Sequence, residues 1–175
     1  MKFLFLFLLF MGSTETTIFD FNEDSNISDW SIVDDVVMGG RSNGRFFLNE
    51  EHNGVFQGYV SLENNGGFSS LRHIVKDKPV INKTHFFIRV KGDGKRYQFR
   101  SKKSNRDNHS YIAYFNTNGN WQTIEIPFNT MEPAFRGRML DMPNYDGEQL
   151  EEVAFLIGNK KEQDFKLEID YIKVK

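Results

Sequence analysis

The strongest constraint on the fold is an apolar side chain at every second position. The stretch "HFFIRVKGDGKRYQFRS", residues 85–101, is the clearest case. Phe86, Ile88 and Val90 alternate with Phe87, Arg89 and Lys91; Asp93-Gly94 marks a turn, and Tyr97 and Phe99 resume the pattern on the way back. Period two is the signature of a strand with one buried face. Asp-Gly suits a tight turn because its glycine tolerates positive φ, so the stretch is expected to be a hairpin. "SYIAYFN" and "WQTIEIPF" form a second expected pair around Asn118-Gly119, and "VAFLIG" with "FKLEIDYIKV" a third. In the last segment Phe165, Leu167 and Ile169 face one way, and Lys166, Glu168 and Asp170 the other. Its phase slips at Tyr171-Ile172, which predicts a bulge or an edge. Less regular strands are expected in "TIFDFN", "RFFLN", "GVFQGYVSL" and "FSSLRHIV". Only short pieces near residues 77–82 and 146–151 suggest helix. Many short strands separated by Gly, Asn and Asp predict an all-β, antiparallel jelly-roll β-sandwich.

A chain of 175 residues fits one domain, and its 18 Phe can furnish a sizeable core. The net charge of −2 gives no general affinity for nucleic acid. The absence of Cys excludes disulfides, cysteine zinc sites and thiol catalysis. One Lys followed by the apolar run Phe3–Met11 and small polar residues has the layout of a signal peptide over residues 1–14, leaving a single domain over 15–175. The alternatives are an uncleaved anchor and a misjudged start codon. Removal predicts export to a periplasm or cell envelope, and retention a membrane-associated or cytoplasmic protein. The remaining chain carries no apolar run long enough to span a membrane as a helix. Charge is uneven: Lys91 to Arg106 holds seven basic residues against Asp93, and Asp141 to Glu152 holds five acids and no base. Both stretches read as solvated surface, as a bipolar surface that docks on a partner, or as a self-complementary contact.

Catalytic constellations are hard to find. The four His are not at metal-ligand spacing, and no loop has a recognisable calcium spacing, so no metal or cofactor is expected. Gly-x-Ser-x-Gly is missing, and Ser69 and Ser70 have no local His–Asp pair. Asp34, Asp35, Asp93 and Asp141 are possible members of a glycosidase pair, but spacing alone shows no two converging. "MGGRSNG" is glycine-rich without being GxGxxG. Four glycine loops remain: "VMGGRSNG", "NNGGFSSLR", "KGDGKRY" and "FRGR". In one reading Asp35 is a buried acceptor that clamps such loops, alone or with Arg41, Arg72 or Arg136. In the functional reading these loops meet at one end of the sandwich and form a recognition surface.

In order along the chain, "DWSIVDDVVMGGRSNG", "GVFQGYVSLENNGGFSSLR", "VKGDGKRYQFR", "WQTIEIPF", "PAFRGR" and "FKLEIDYIKV" resemble the complex I intermediate-associated protein 30 family, from about Trp30 to Val174. The resemblance implies a galactose-binding-like sandwich and a non-catalytic, chaperone-like factor for assembly of NADH:ubiquinone oxidoreductase. It implies a protein partner and supplies no catalytic residue. Its motif positions that fall in loops are Asp35, Met38, Gly39, Gly40, Arg41, Ser42, Asn64, Asn65, Gly66, Gly67, Arg72, Asp93, Arg136 and Arg138. The chain departs from its mitochondrial members in having no mitochondrial-type presequence. The alternative function is an exported carbohydrate-binding module of the cell envelope, with Trp30 and Trp121 as candidate sugar-facing aromatics. A nucleic-acid partner is not expected.

Overall fold

A computed structural model describes residues 14–76 and 78–175. Two antiparallel sheets face each other. The first contains β1 (Thr16–Asp20), β3 (Asn43–Leu48), β4 (Gly54–Val60), β6 (His85–Gly92), β9 (Trp121–Pro127) and β13 (Gln163–Val174). The second contains β2 (Trp30–Asp34), β5 (Ser69–Ile74), β7 (Arg96–Lys102), β8 (Ser110–Asn116), β10 (Glu132–Phe135), β11 (Arg138–Met139) and β12 (Glu152–Ile157). The six-stranded sheet has the order β3-β4-β13-β6-β9, and the seven-stranded sheet the order β11-β10-β8-β7-β12-β5-β2. Long β13 pairs with β4 through Ile169 and with β1 from Tyr171, and its register against β6 shifts between those two residues. The phase slip in the sequence is therefore a bulge around Asp170.

The alternating residues meet between the sheets. Phe86 of β6 packs against Phe99 of β7 at 4.9 Å, and Phe99 against Phe155 of β12 at 5.5 Å. Phe56, Leu71, Ile88, Leu167 and Ile169 are also fully enclosed. Tyr97, though a phenol, is buried with its hydroxyl on Asp93 Oδ1 at 2.9 Å.

The three expected hairpins are not hairpins. β6 and β7, β8 and β9, and β12 and β13 each lie in opposite sheets. Alternation reports which residues face the core, and both sheets face the same core, so it cannot tell a hairpin from a crossing. The turns themselves have the expected glycine geometry, with φ of 82° at Gly94 and 86° at Gly119. Two of the crossings brace each other: Thr117 Oγ1 accepts the Gly94 N–H and donates to the Lys95 carbonyl, both at 3.0 Å.

The helical expectations fail as well. Residues 146–151 form no helix, because Gly147 sits at φ 75° pressed against the Phe128 ring. Pro79 interrupts the other segment, where residues 78–80 are irregular and 81–82 form a turn. Among the described residues, single-turn 3-10 helices occur instead, at Asp35–Met38, Glu63–Asn65 and Phe128–Thr130. The predicted signal peptide falls almost wholly outside the described residues. No helix among the described residues is long and apolar enough to cross a membrane. The basic and acidic stretches touch within the chain: Lys103 pairs with Asp146, and the Asn105 N–H donates to Glu151 Oε2 at 2.8 Å.

Candidate functional site

Two places concentrate chemistry. The first is the glycine-loop cluster at the end of β2. Asp35 opens the 3-10 turn there and is fully buried. Its Oδ1 accepts the Ser42 N–H at 2.9 Å. Its Oδ2 accepts the Ser42 hydroxyl at 2.5 Å, the Gly67 N–H at 2.6 Å and the Phe68 N–H at 3.2 Å. Burial alone would raise the pKa of this carboxyl. The Ser42 hydroxyl and the Gly67, Ser42 and Phe68 amides outweigh it and hold the group below its ordinary value. One carboxylate thus ties the 35–42 loop to the 62–68 loop.

The neighbouring glycines follow from that carboxylate. A Cβ on Gly40 would meet the Asp35 carboxylate and stand 2.9 Å from its Cβ; one on Gly66 would stand 2.6 Å from Oδ2. Asn64 and Asn65 adopt φ of 55° and 61°, and Asn64 Nδ2 donates to the Gly39 carbonyl at 3.1 Å. Arg41 pairs with exposed Glu63 at 3.1 Å rather than with Asp35. No arginine reaches Asp35 among the described residues; the clamp uses N–H and hydroxyl donors. On this platform Val36 and Met38 are 58% and 55% exposed, with exposed Leu62 on the facing loop.

The other predicted residues are spread over the molecule. Asp93 shares the Asp35 end of the sandwich, where its Oδ2 accepts the Lys166 N–H at 2.9 Å. Arg136 and Arg138 flank the β10–β11 turn at the far edge of the seven-stranded sheet and at its opposite end. The four glycine loops therefore do not form one surface; "FRGR" is separate. Trp30 is buried and stacked on His73 at 4.6 Å, so it cannot face a sugar. Trp121 lies on the outer face of the six-stranded sheet beside Arg89. Of the carboxylates considered for catalysis, Asp34, Asp35 and Asp93 serve as internal acceptors, Asp34 taking the Gly44 N–H at 2.9 Å and the Ser69 hydroxyl at 2.5 Å, whereas Asp141 is exposed. No cluster of three metal-ligating side chains occurs among the described residues.

The second place is the outer face of the seven-stranded sheet. Arg72 on β5 stands opposite Ala154, and Ala154 opposite Arg100 on β7. The next row carries Ser70, Leu156, Gln98 and Tyr114. Ser70, Ala154, Leu156, Gln98 and Glu152 are buried although their neighbours along each strand are the ones that enter the core. Tyr114 is 54% exposed beside the Arg96 guanidinium, 4.5 Å from its ring centre. Arg100 donates to Gln98 Oε1 at 2.9 and 2.6 Å. Burial first, and the adjacent Arg72 charge second, lower the Arg100 pKa to about 10. Apart from Arg72, these residues escaped the sequence reading. The available signal was "VAFLI", apolar at both phases, which marks a strand sheltered on both faces. Two open recesses of about 690 and 340 Å³ border these places, the first reaching the outer face at Ile74 and the second the end of the glycine loop at Asn43.

The sequence model of the Complex I intermediate-associated protein 30 (CIA30) family matches residues 19–169. The chain belongs to this family. The mitochondrial complex I intermediate-associated protein 30 of Mus musculus is 25% identical over 182 residues, covering 90% of the chain but only 55% of the mouse protein. The chain thus spans about half the length of that relative. Among solved structures, a family 11 carbohydrate-binding module from Clostridium thermocellum in complex with a β-1,3-1,4-mixed-linked tetrasaccharide superposes with a TM-score of 0.67 at 16% identity, covering 93% of this chain and 96% of the module. The agarase AgWH50C superposes with a TM-score of 0.61 at 13% identity, over 93% of this chain and 25% of that one. At such identities the likeness shows the fold, a galactose-binding-like jelly roll. The Asp35 clamp thus ties together two of the motif segments by which this CIA30 chain was recognised.

Proposed function

We propose that this CIA30 chain is a non-catalytic binding protein that holds a protein partner during assembly of a membrane-bound complex, NADH:ubiquinone oxidoreductase in the first instance. The observation that carries the reading is the apolar Val36–Met38–Leu62 surface, displayed on loops that one buried carboxylate fixes in place. Exposed apolar side chains on a braced loop offer a partner contact at little ordering cost. Family membership and the mouse relative support NADH:ubiquinone oxidoreductase as that complex. The apolar Phe3–Met11 run favours a place at a membrane or beyond it. The test is capture from detergent-solubilised native membranes with the chain and with its Val36→Asp/Met38→Asp variant. Subunits of NADH:ubiquinone oxidoreductase are expected with the parent and not with the variant. Equal recovery on both would overturn the proposal.

A second reading is favoured by the sheltered, polar outer face of the seven-stranded sheet: a carbohydrate-binding module. Tyr114 gives an exposed ring, Gln98 a hydrogen-bonding group beside it, and Glu152 a further one along the same face. The fold shared with family 11 modules supports it. Calorimetric titration with envelope and plant-wall polysaccharides tests it, and loss of binding in Tyr114→Ala is the expected signature.

A further inference from the structure

Resting on that second reading, the geometry points to an acidic saccharide, a chain bearing uronic acid carboxylates, as the ligand of the outer face of the seven-stranded sheet. Arg72 and Arg100 project from strands either side of β12, with the small Ala154 between them. At a strand spacing of about 4.8 Å, their backbones are roughly 10 Å apart, so the two side chains rise from the same face with one strand between them. Neither guanidinium has a carboxylate within 4.0 Å among the described residues. Arg100 spends its donors on the Gln98 amide alone, and Arg72 makes no side-chain hydrogen bond among those residues. Two like charges on a sheltered face repel each other, and the Glu152 carboxylate on the same face attracts Arg100 without touching it. An arginine pair in that state favours a planar anion that takes parallel N–H bonds. Arg96, beside Tyr114, adds a third positive charge along the same face.

The other groups decide what kind of anion fits. Glu152 is largely buried on this face, two residues along β12 from Ala154, and its carboxylate can accept from a hydroxyl donor. Sugar hydroxyls donate, whereas a phosphate backbone offers only acceptors and would be repelled. Gln98 can serve hydroxyls in either sense, and the Tyr114 ring can carry the apolar face of a pyranose. A polyhydroxyl chain with intermittent carboxylates meets all of these demands together. A neutral glucan leaves the arginines unpaired, and a nucleic acid leaves Glu152 opposed.

The experiment is calorimetric titration of the chain with tetragalacturonate and with a neutral β-1,3-1,4-linked glucan tetrasaccharide, at low and high salt. Tighter binding of tetragalacturonate is expected, weakening as salt rises. Arg72→Gln should weaken it about tenfold, the usual scale for losing a charge-assisted pair, and neutral-glucan binding less; Arg100→Gln should weaken it at least as much, because it also frees the Gln98 amide. Arg72→Gln is the safer variant, because that side chain makes no internal bond; unaltered melting temperature confirms its fold. Equal or tighter binding of the neutral glucan, or indifference to both substitutions, overturns the acidic preference and leaves the carbohydrate reading standing. No binding of either oligosaccharide removes both. Retention on single-stranded DNA with the same arginine dependence, and none on tetragalacturonate, assigns the face to phosphate and overturns the inference.

Discussion

Removing the Asp35 carboxylate should loosen two loops at once, and the size of the effect can be worked out. Asp35→Ala leaves the Gly67, Phe68 and Ser42 amides and the Ser42 hydroxyl without their acceptor. Each buried donor left unpaired costs about 1–3 kcal/mol, and water can reach part of a loop that relaxes, so a net loss of about 3 kcal/mol is expected. For a domain of this size that corresponds to a fall in melting temperature of roughly 6–12 °C. Thermal unfolding followed by circular dichroism reads it. The sharper measurement is a double-mutant cycle with Gly40→Ala. The three atoms closest to a Cβ at position 40 all belong to Asp35. Gly40→Ala alone should therefore cost about 1–3 kcal/mol through overpacking, and the share due to the carboxylate should vanish when Asp35 is already alanine, leaving the 2.9 Å approach to its Cβ. A Gly40→Ala penalty that is the same in both backgrounds, or an Asp35→Ala melt within about 2 °C of the parent, would refute the clamp.

Other expectations follow from the same contacts. The Asp35 carboxyl is held below its ordinary value of 3.8, so the stability it contributes is complete above that pH and is lost as pH falls toward its lower folded value. The gap in melting temperature between the parent and Asp35→Ala should be constant from neutral pH to about pH 5 and shrink below pH 4. Tyr97→Phe removes the hydroxyl bonded to Asp93 and should destabilise by about 1 kcal/mol, measured by urea unfolding. Gly58→Ala would put a Cβ against the Asn43 carbonyl and should disrupt the β3–β4 pair, seen as faster amide exchange from Asn43 to Leu48. Tyr114→Ala should leave the melting temperature within about 2 °C of the parent, because its ring is largely exposed.

Much of the fold was legible in residue alternation, because burial of every second side chain is written directly into the sequence. The sheet to which each strand belongs was not. Phe86 and Phe99 lie on strands joined by Asp93-Gly94, which looks like a hairpin turn, yet they face each other across the core. A glycine at positive φ serves a crossing as well as a hairpin, so the turn carries no information on the choice. Asp35 among glycines was legible as a clamp. Its partners were not, since Gly67 and Phe68 lie 32 and 33 residues away and donate through backbone amides that no residue type advertises. The outer face of the seven-stranded sheet was the least legible part. Arg100 and Gln98 sit in a basic stretch that reads as solvated surface, and only strand order places Arg72 and Ala154 beside them.

The most direct test of the partner surface is site-specific photo-crosslinking in native membranes. A photo-reactive amino acid replaces Met38 on the clamped loops in one variant and Tyr114 on the outer sheet face in another. If the loop platform is the assembly contact, position 38 crosslinks to subunits of NADH:ubiquinone oxidoreductase and position 114 does not. Crosslinks to those subunits from position 114 alone, or to no protein from position 38, would contradict it.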